Sequence, residues 1–307
     1  MESKRYRIIT TNNGSYYVFS QTFDSLYEYV AYLKEQHSTT AFIGQESSIE
    51  TDSGQISWTG TKSIDEAYNL CVNGEYDDDF DKFEHKRQDL EKNLENSMKR
   101  CKTKRDVVGY APNVPAYLMG LPKNMYNISK TSKQPKKSIK IYYNISSLGF
   151  VSPEQMRNRG ICALTLIKEL EQKGYNVSLH LFAASYCNGQ VIYTQWNLKD
   201  EGQALNYRSL YFPMVNPSFL RRLHFRLREV TPGLDEEWVD GYGRTCDFQF
   251  SKDIINCDKT GIVINQPDEH NIHGNDIVKD YENFRKSISK QIQDCFTPQE
   301  QGVEHEM

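Results

Sequence analysis

Apolar residues recur along this chain with two different periods, and the changes of period mark its elements. From Ile139 through Ile141, Tyr143 and Ile145 they fall at every second position, the signature of a strand with one face buried. The polar turn Asn144–Gly149 follows, and Ser152-Pro-Glu-Gln155 opens a helix as a capping box with proline in its first turn. Met156, Ile161, Leu164, Ile167 and Leu170 keep helical spacing until Gly174 ends the helix, and Val177, Leu179 and Leu181 resume strand alternation. A strand that returns through one helix is a βαβ unit, and the loop after its first strand lies where parallel sheets place their ligands.

Upstream, Tyr6–Thr10 and Tyr16–Phe19 flank Asn12-Asn-Gly14 and predict a hairpin. Ser25 with Glu28, and Ser63 with Glu66, form capping boxes for two amphipathic helices. A long helix is expected from Phe80 to Cys101, its apolar stripe interrupted at Arg87. Gly109–Met125 carries three prolines and two glycines and reads as an irregular strap across the core. Ser129–Lys140, with five lysines, reads as a linker.

Downstream, Val191–Trp196, Ser209–Pro213 and Gly261–Ile264 are expected strands. A helix from Asn216-Pro217 turns Phe219, Leu220, Leu223, Leu227 and Val230 inward and Arg221, Arg222 and Arg228 outward, and a last helix runs from Asp276 to Phe296. The expected fold class is therefore α/β: a sheet with flanking helices on a βαβ core (139–297), preceded by a helix-rich α+β region (1–128), with a linker at 129–138 and a disordered tail at 298–307.

Composition narrows the functional classes. The chain has 307 residues, 38% apolar and 25% charged, with a net charge of −4, so no global basic field draws it to nucleic acid or anionic lipid. No apolar run reaches membrane-spanning length and the first residues lack the apolar stretch of a signal peptide, which makes the cytoplasm the expected compartment. The seven cysteines are scattered without metal or redox spacing and read as reduced, buried hydrophobes.

Residues 138–185 resemble a von Willebrand factor A-type domain, in which a first strand runs into a metal-binding Asp-x-Ser-x-Ser turn, then a long helix and a strand ending in phenylalanine. On this chain Asn144 takes the aspartate position, Ser146 the first serine, Leu148 replaces the second serine, and Leu181-Phe182 ends the strand. Asp240 is the candidate for the family's later aspartate. An amide for a carboxylate and an alkyl group for a hydroxyl remove oxygen ligands that Mg²⁺ needs, so the resemblance implies a protein-binding domain with an eroded metal site and no cofactor. Trp58–Ala67 and Gly109–Met125 also resemble stretches of uncharacterised bacteriophage and prophage proteins, which implies a viral or mobile-element origin. The residues around Trp58 read equally as a strand leading into the capped helix.

No phosphate-binding glycine loop, nucleophile elbow or zinc-protease helix is present, and no residue is assigned a catalytic role. The expectation is a non-enzymatic protein that docks on another protein through Asn144, Ser146, Ser147, Trp196 and Asp240 at the strand ends. Arg221, Arg222 and Arg228 would supply a second contact. Two alternatives stay open: a metal-dependent hydrolase or nuclease using His270 and His273, and a nucleic-acid binder using Lys130–Lys140 and the arginine helix.

Overall fold

A computed structural model describes residues 5–11, 14–50, 56–74, 78–95, 103–108, 111–128, 137–255 and 261–296. The expected tail and most of the expected linker lie outside these residues. Two compact units emerge: residues 1–87 with 138–307, and residues 88–137.

In the larger unit a hairpin, β1 (Arg5–Thr11) and β2 (Gly14–Phe23), leads to helices α1 (Leu26–Glu35), α2 (Ile56–Thr59), α3 (Ile64–Asn73) and, as far as Arg87, α4 (Asp78–Glu95). Strand β2 pairs in parallel with a distant strand over Tyr17–Phe23, so the N-terminal hairpin belongs to the central sheet. The expected split between an N-terminal region and a core therefore does not describe the fold. The Ser25 and Ser63 side chains cap α1 and α3 by accepting from the backbone N–H of Glu28 and Glu66.

In the smaller unit β3 (Thr103–Asp106), β4 (Ala111–Pro112) and β5 (Met125–Ile128) form an antiparallel sheet in the order β3-β5-β4, with α5 (Val114–Leu118) between β4 and β5. The strap expected over Gly109–Met125 is thus partly regular. Pro115 sits in the first turn of α5, where its missing N–H costs nothing, Asn113 caps that turn, and Gly120 takes a φ of +69° past the helix end.

The βαβ unit forms as expected: β6 (Ser138–Asn144), α6 (Pro153–Gln172) and β7 (Asn176–Cys187), with β6 and β7 parallel and both halves of the Ser152/Gln155 capping box made. Strand β8 (Gln190–Lys199) returns antiparallel through Asn188-Gly189, both left-handed, the turn that suits a twisted hairpin. Helix α7 (Tyr207–Val215) follows, then a π-helix (Phe219–His224) continuing into α8 (Phe225–Glu229). Strand β9 (Arg244–Thr245), α9 (Phe248–Ile255), β10 (Gly261–Ile264) and α10 (Ile277–Phe296) complete the chain. The sheet order is β1-β2-β8-β7-β6-β10, with β9 alongside β7 at Ser185 and Tyr186, beyond the end of β6.

Ser209–Pro213, expected as a strand, lies in α7. Leu210–Val215 are all buried, and an apolar run buried on every side carries no period to distinguish strand from helix. Helix α6 packs on β7, α7 and α10. Its contact with α7 is so close that a Cβ on Gly160 would stand 2.4 Å from the Met214 carbonyl oxygen.

Candidate functional site

Asn144 ends β6 and points into the protein. Its Oδ1 accepts from the Ser146 N–H at 2.9 Å, its Nδ2 donates to Asn265 Oδ1 at 2.5 Å, and Ser146 Oγ accepts from the Ala184 N–H at 3.2 Å. Both side chains are fully buried, so they are not on the docking surface expected of them. Asn144 Oδ1 and Ser146 Oγ thus each accept from a backbone N–H.

Asn265, just past β10, is the hub of this end of the sheet. Its Nδ2 donates to Glu269 Oε1 at 2.7 Å, its N–H donates to His270 Nε2 at 2.9 Å, and its carbonyl accepts from Arg159 Nη1 at 2.9 Å. His270 Nδ1 bonds Ser287 Oγ at 2.7 Å. Both imidazole nitrogens of His270 are thus engaged within the fold, and burial with the nearby Arg159 charge lowers its pKa to about 3. His273 is exposed, and no group of three or more His, Cys, Asp or Glu able to hold a metal occurs among the described residues.

Arg221, Arg222 and Arg228 face inward, not outward, and each is at most 3% exposed. Guanidinium forks supply donors to described backbone carbonyls of the segment before α3. Arg222 donates to the carbonyls of Ser48, Glu50 and Thr61, and Arg221 to those of Trp58 and Val151. Arg228 donates to the Tyr242 carbonyl and to Ser185 Oγ. Burial lowers the pKa of Arg221 and of Arg228 to about 10, which leaves both charged at neutral pH. Trp196 is also a core residue, packed edge-on against Tyr29, Phe219 and His224.

The strand-end loop does border a cavity, of about 530 Å³. Ser147, Leu148 and Gly149 from that loop form one side, and Leu220, Arg221, Phe225 and Arg228 another. Ser47, Glu50, Trp58 and the 239–245 segment complete it, while Asp240 is exposed beside it and does not line it. Gly241, Tyr242 and Gly243 all have positive φ, +76°, +60° and +76°. For tyrosine that conformation is an outlier held by surrounding contacts, and such outliers cluster at functional sites. Here the ring of Tyr242 stacks on Phe225 at 4.2 Å, and its hydroxyl donates to buried Glu229 at 2.7 Å and accepts from the Ser47 N–H at 2.9 Å. Of the residues expected from the sequence, Ser147, Arg221 and Arg228 line this cavity, while Phe225 and Tyr242 were not foreseen; the adjacent glycines 241 and 243 were the available signal for Tyr242.

In the smaller unit, Val107, Val108, Val114, Tyr117, Leu118, Met119 and Leu121 are exposed, with Leu118 at 78% and Met119 at 75%. Arg105 and Lys123 are exposed as well, and residues 88–137 hold eleven Lys and Arg against four Asp and Glu.

The fold is mixed α/β, with a cavity at the carboxyl end of β6. The chain belongs to the DUF7192 family, a domain of unknown function, which it matches over residues 7–290. No curated protein and no solved structure matches it significantly. No helix among the described residues is long and apolar enough to cross a membrane.

Proposed function

We propose that the chain is a non-enzymatic binding protein, an adaptor or inhibitor of bacteriophage or mobile-element origin acting in the host cytoplasm. It docks through residues 107–121 on a partner protein that offers an apolar surface with an acidic rim. The observation that carries this reading is the exposed apolar side chains of the smaller unit, with Arg105 and Lys123 also exposed there. Contiguous apolar exposure marks interaction sites, and covering one such side chain contributes about 1.5–3 kcal/mol. The net positive charge of residues 88–137 favours an acidic partner and speeds encounter with it. Of the seven exposed apolar side chains named there, Tyr117 alone offers a stacking face, which weighs against single-stranded nucleic acid.

The test compares the tagged wild-type chain with the double variant Leu118→Asp, Met119→Asp in capture from host lysate, followed by reconstitution with the purified partner. One acidic protein recovered at near-equal stoichiometry by the wild type, and lost from a variant that melts at the same temperature, is the expected result. Identical recovery by both, or recovery of nucleic acid in place of protein, overturns the reading.

A further inference from the structure

We propose that the cavity at the carboxyl edge of the sheet binds a small organic anion, a flat ring bearing a phosphate or carboxylate. This inference is independent of the docking surface, because none of its residues lies in 107–121.

The volume of about 530 Å³ is that of a small-molecule site. Arg221, Arg228 and Arg244 line it, and none of the three has a carboxylate within 4.0 Å among the described residues. Glu50 is the carboxylate among the lining residues, so cations outnumber anions there. A buried cation without a counter-ion is costly to desolvate, and an incoming anion offsets that cost. Two residues of the lining also carry a buried polar atom with no hydrogen bond within the fold, Ser147 Oγ and Arg228 Nε.

Aromatic residues supply the rest of the recognition. Trp58 lines the cavity with the Arg221 guanidinium 4.3 Å from its ring centroid, and the stacked Phe225 and Tyr242 form a second aromatic wall. Arginine and aromatic surfaces together suit a planar anion better than a bare ion, since the ring buries apolar area while its charged group meets the guanidinium. Arg244 differs from its neighbours in being exposed, with a side chain that has no hydrogen-bond partner among the described residues. It is free to close on a bound anion.

The test follows the Trp58 indole N–H signal by NMR, assigned with Trp58→Phe, during titration with phenyl phosphate, inorganic phosphate, benzyl alcohol and benzylamine. Phenyl phosphate is expected to shift the signal saturably and more tightly than inorganic phosphate. Its affinity should fall at least tenfold in Arg244→Glu, a surface change that leaves the melting temperature unaltered, and should fall as salt rises. Equal or tighter binding of benzylamine or benzyl alcohol overturns the anion assignment. No shift with any probe overturns the site itself, and neither result bears on docking through residues 107–121.

Discussion

Asn144 Nδ2 donates to Asn265 Oδ1 at 2.5 Å, joining the carboxyl ends of β6 and β10 amide to amide. Asn265 cannot turn over to offer its own N–H, because its Nδ2 already donates to Glu269 Oε1. An amide is therefore required at position 144, where the resembled metal turn has a carboxylate. Asn144→Asp sets two acceptors face to face in a buried site and is expected to cost about 2–4 kcal/mol, read as a lower urea midpoint. Unchanged stability would show that this contact does not hold the strand ends together.

Acid should weaken the fold through its buried histidines. His270 is held neutral with a pKa of about 3, and burial pushes that of His224 well below the ordinary range. In the unfolded chain both protonate near pH 6.5. Their contribution is thus complete above that pH and is lost as pH falls toward the folded values. Lowering the pH from 7 to 5 is expected to remove about 1–2 kcal/mol through His270 alone. Urea unfolding of His270→Gln at the two pH values should show a smaller loss than wild type.

Gly160 lets α6 and α7 approach to a distance no side chain permits. Gly160→Ala gains helix propensity but drives a methyl group into the Met214 carbonyl, and backbone cannot swing aside as a flexible side chain does. A net loss of about 2 kcal/mol is expected, visible as a lower thermal midpoint. A gain would mean that the two helices can separate without penalty.

Tyr242→Phe retains the stack on Phe225 but leaves the Ser47 N–H without its acceptor and Glu229 without one donor. The expected cost is about 1–2 kcal/mol. Hydrogen exchange at the Ser47 amide should quicken by more than exchange in the sheet, since the lost bond ties a loop and not a strand.

The elements legible in the chain are those whose determinants lie a few residues apart. The N-caps at Ser25 and Ser63, the full capping box at Ser152, the alternation of β6 and the stop at Gly174 each depend on neighbours in sequence, and each is present. The loop after β6 was placed at a site edge by topology alone, and it borders the cavity. Asn188-Gly189 repeats the signal read at Asn13-Gly14 and was equally available.

Long-range partners decided the rest. Arg222 reads as an outward cation on an amphipathic helix, yet its acceptors are carbonyls more than 150 residues away in the chain. Whether a guanidinium faces water or backbone depends on where unsatisfied carbonyls stand once the chain is folded, and helical period carries no information about that. The apolar run of α7 and the exposed Leu118 and Met119 are two sides of the same problem: hydrophobicity records a tendency to leave water, while tertiary packing determines which surface is covered. The sequence by itself determined the strands, caps and turns of this protein, because they close over short spans. Only the tertiary structure turned the arginines inward, buried Asn144 and Ser146 and assembled the cavity, because those contacts join segments that the chain brings together only on folding.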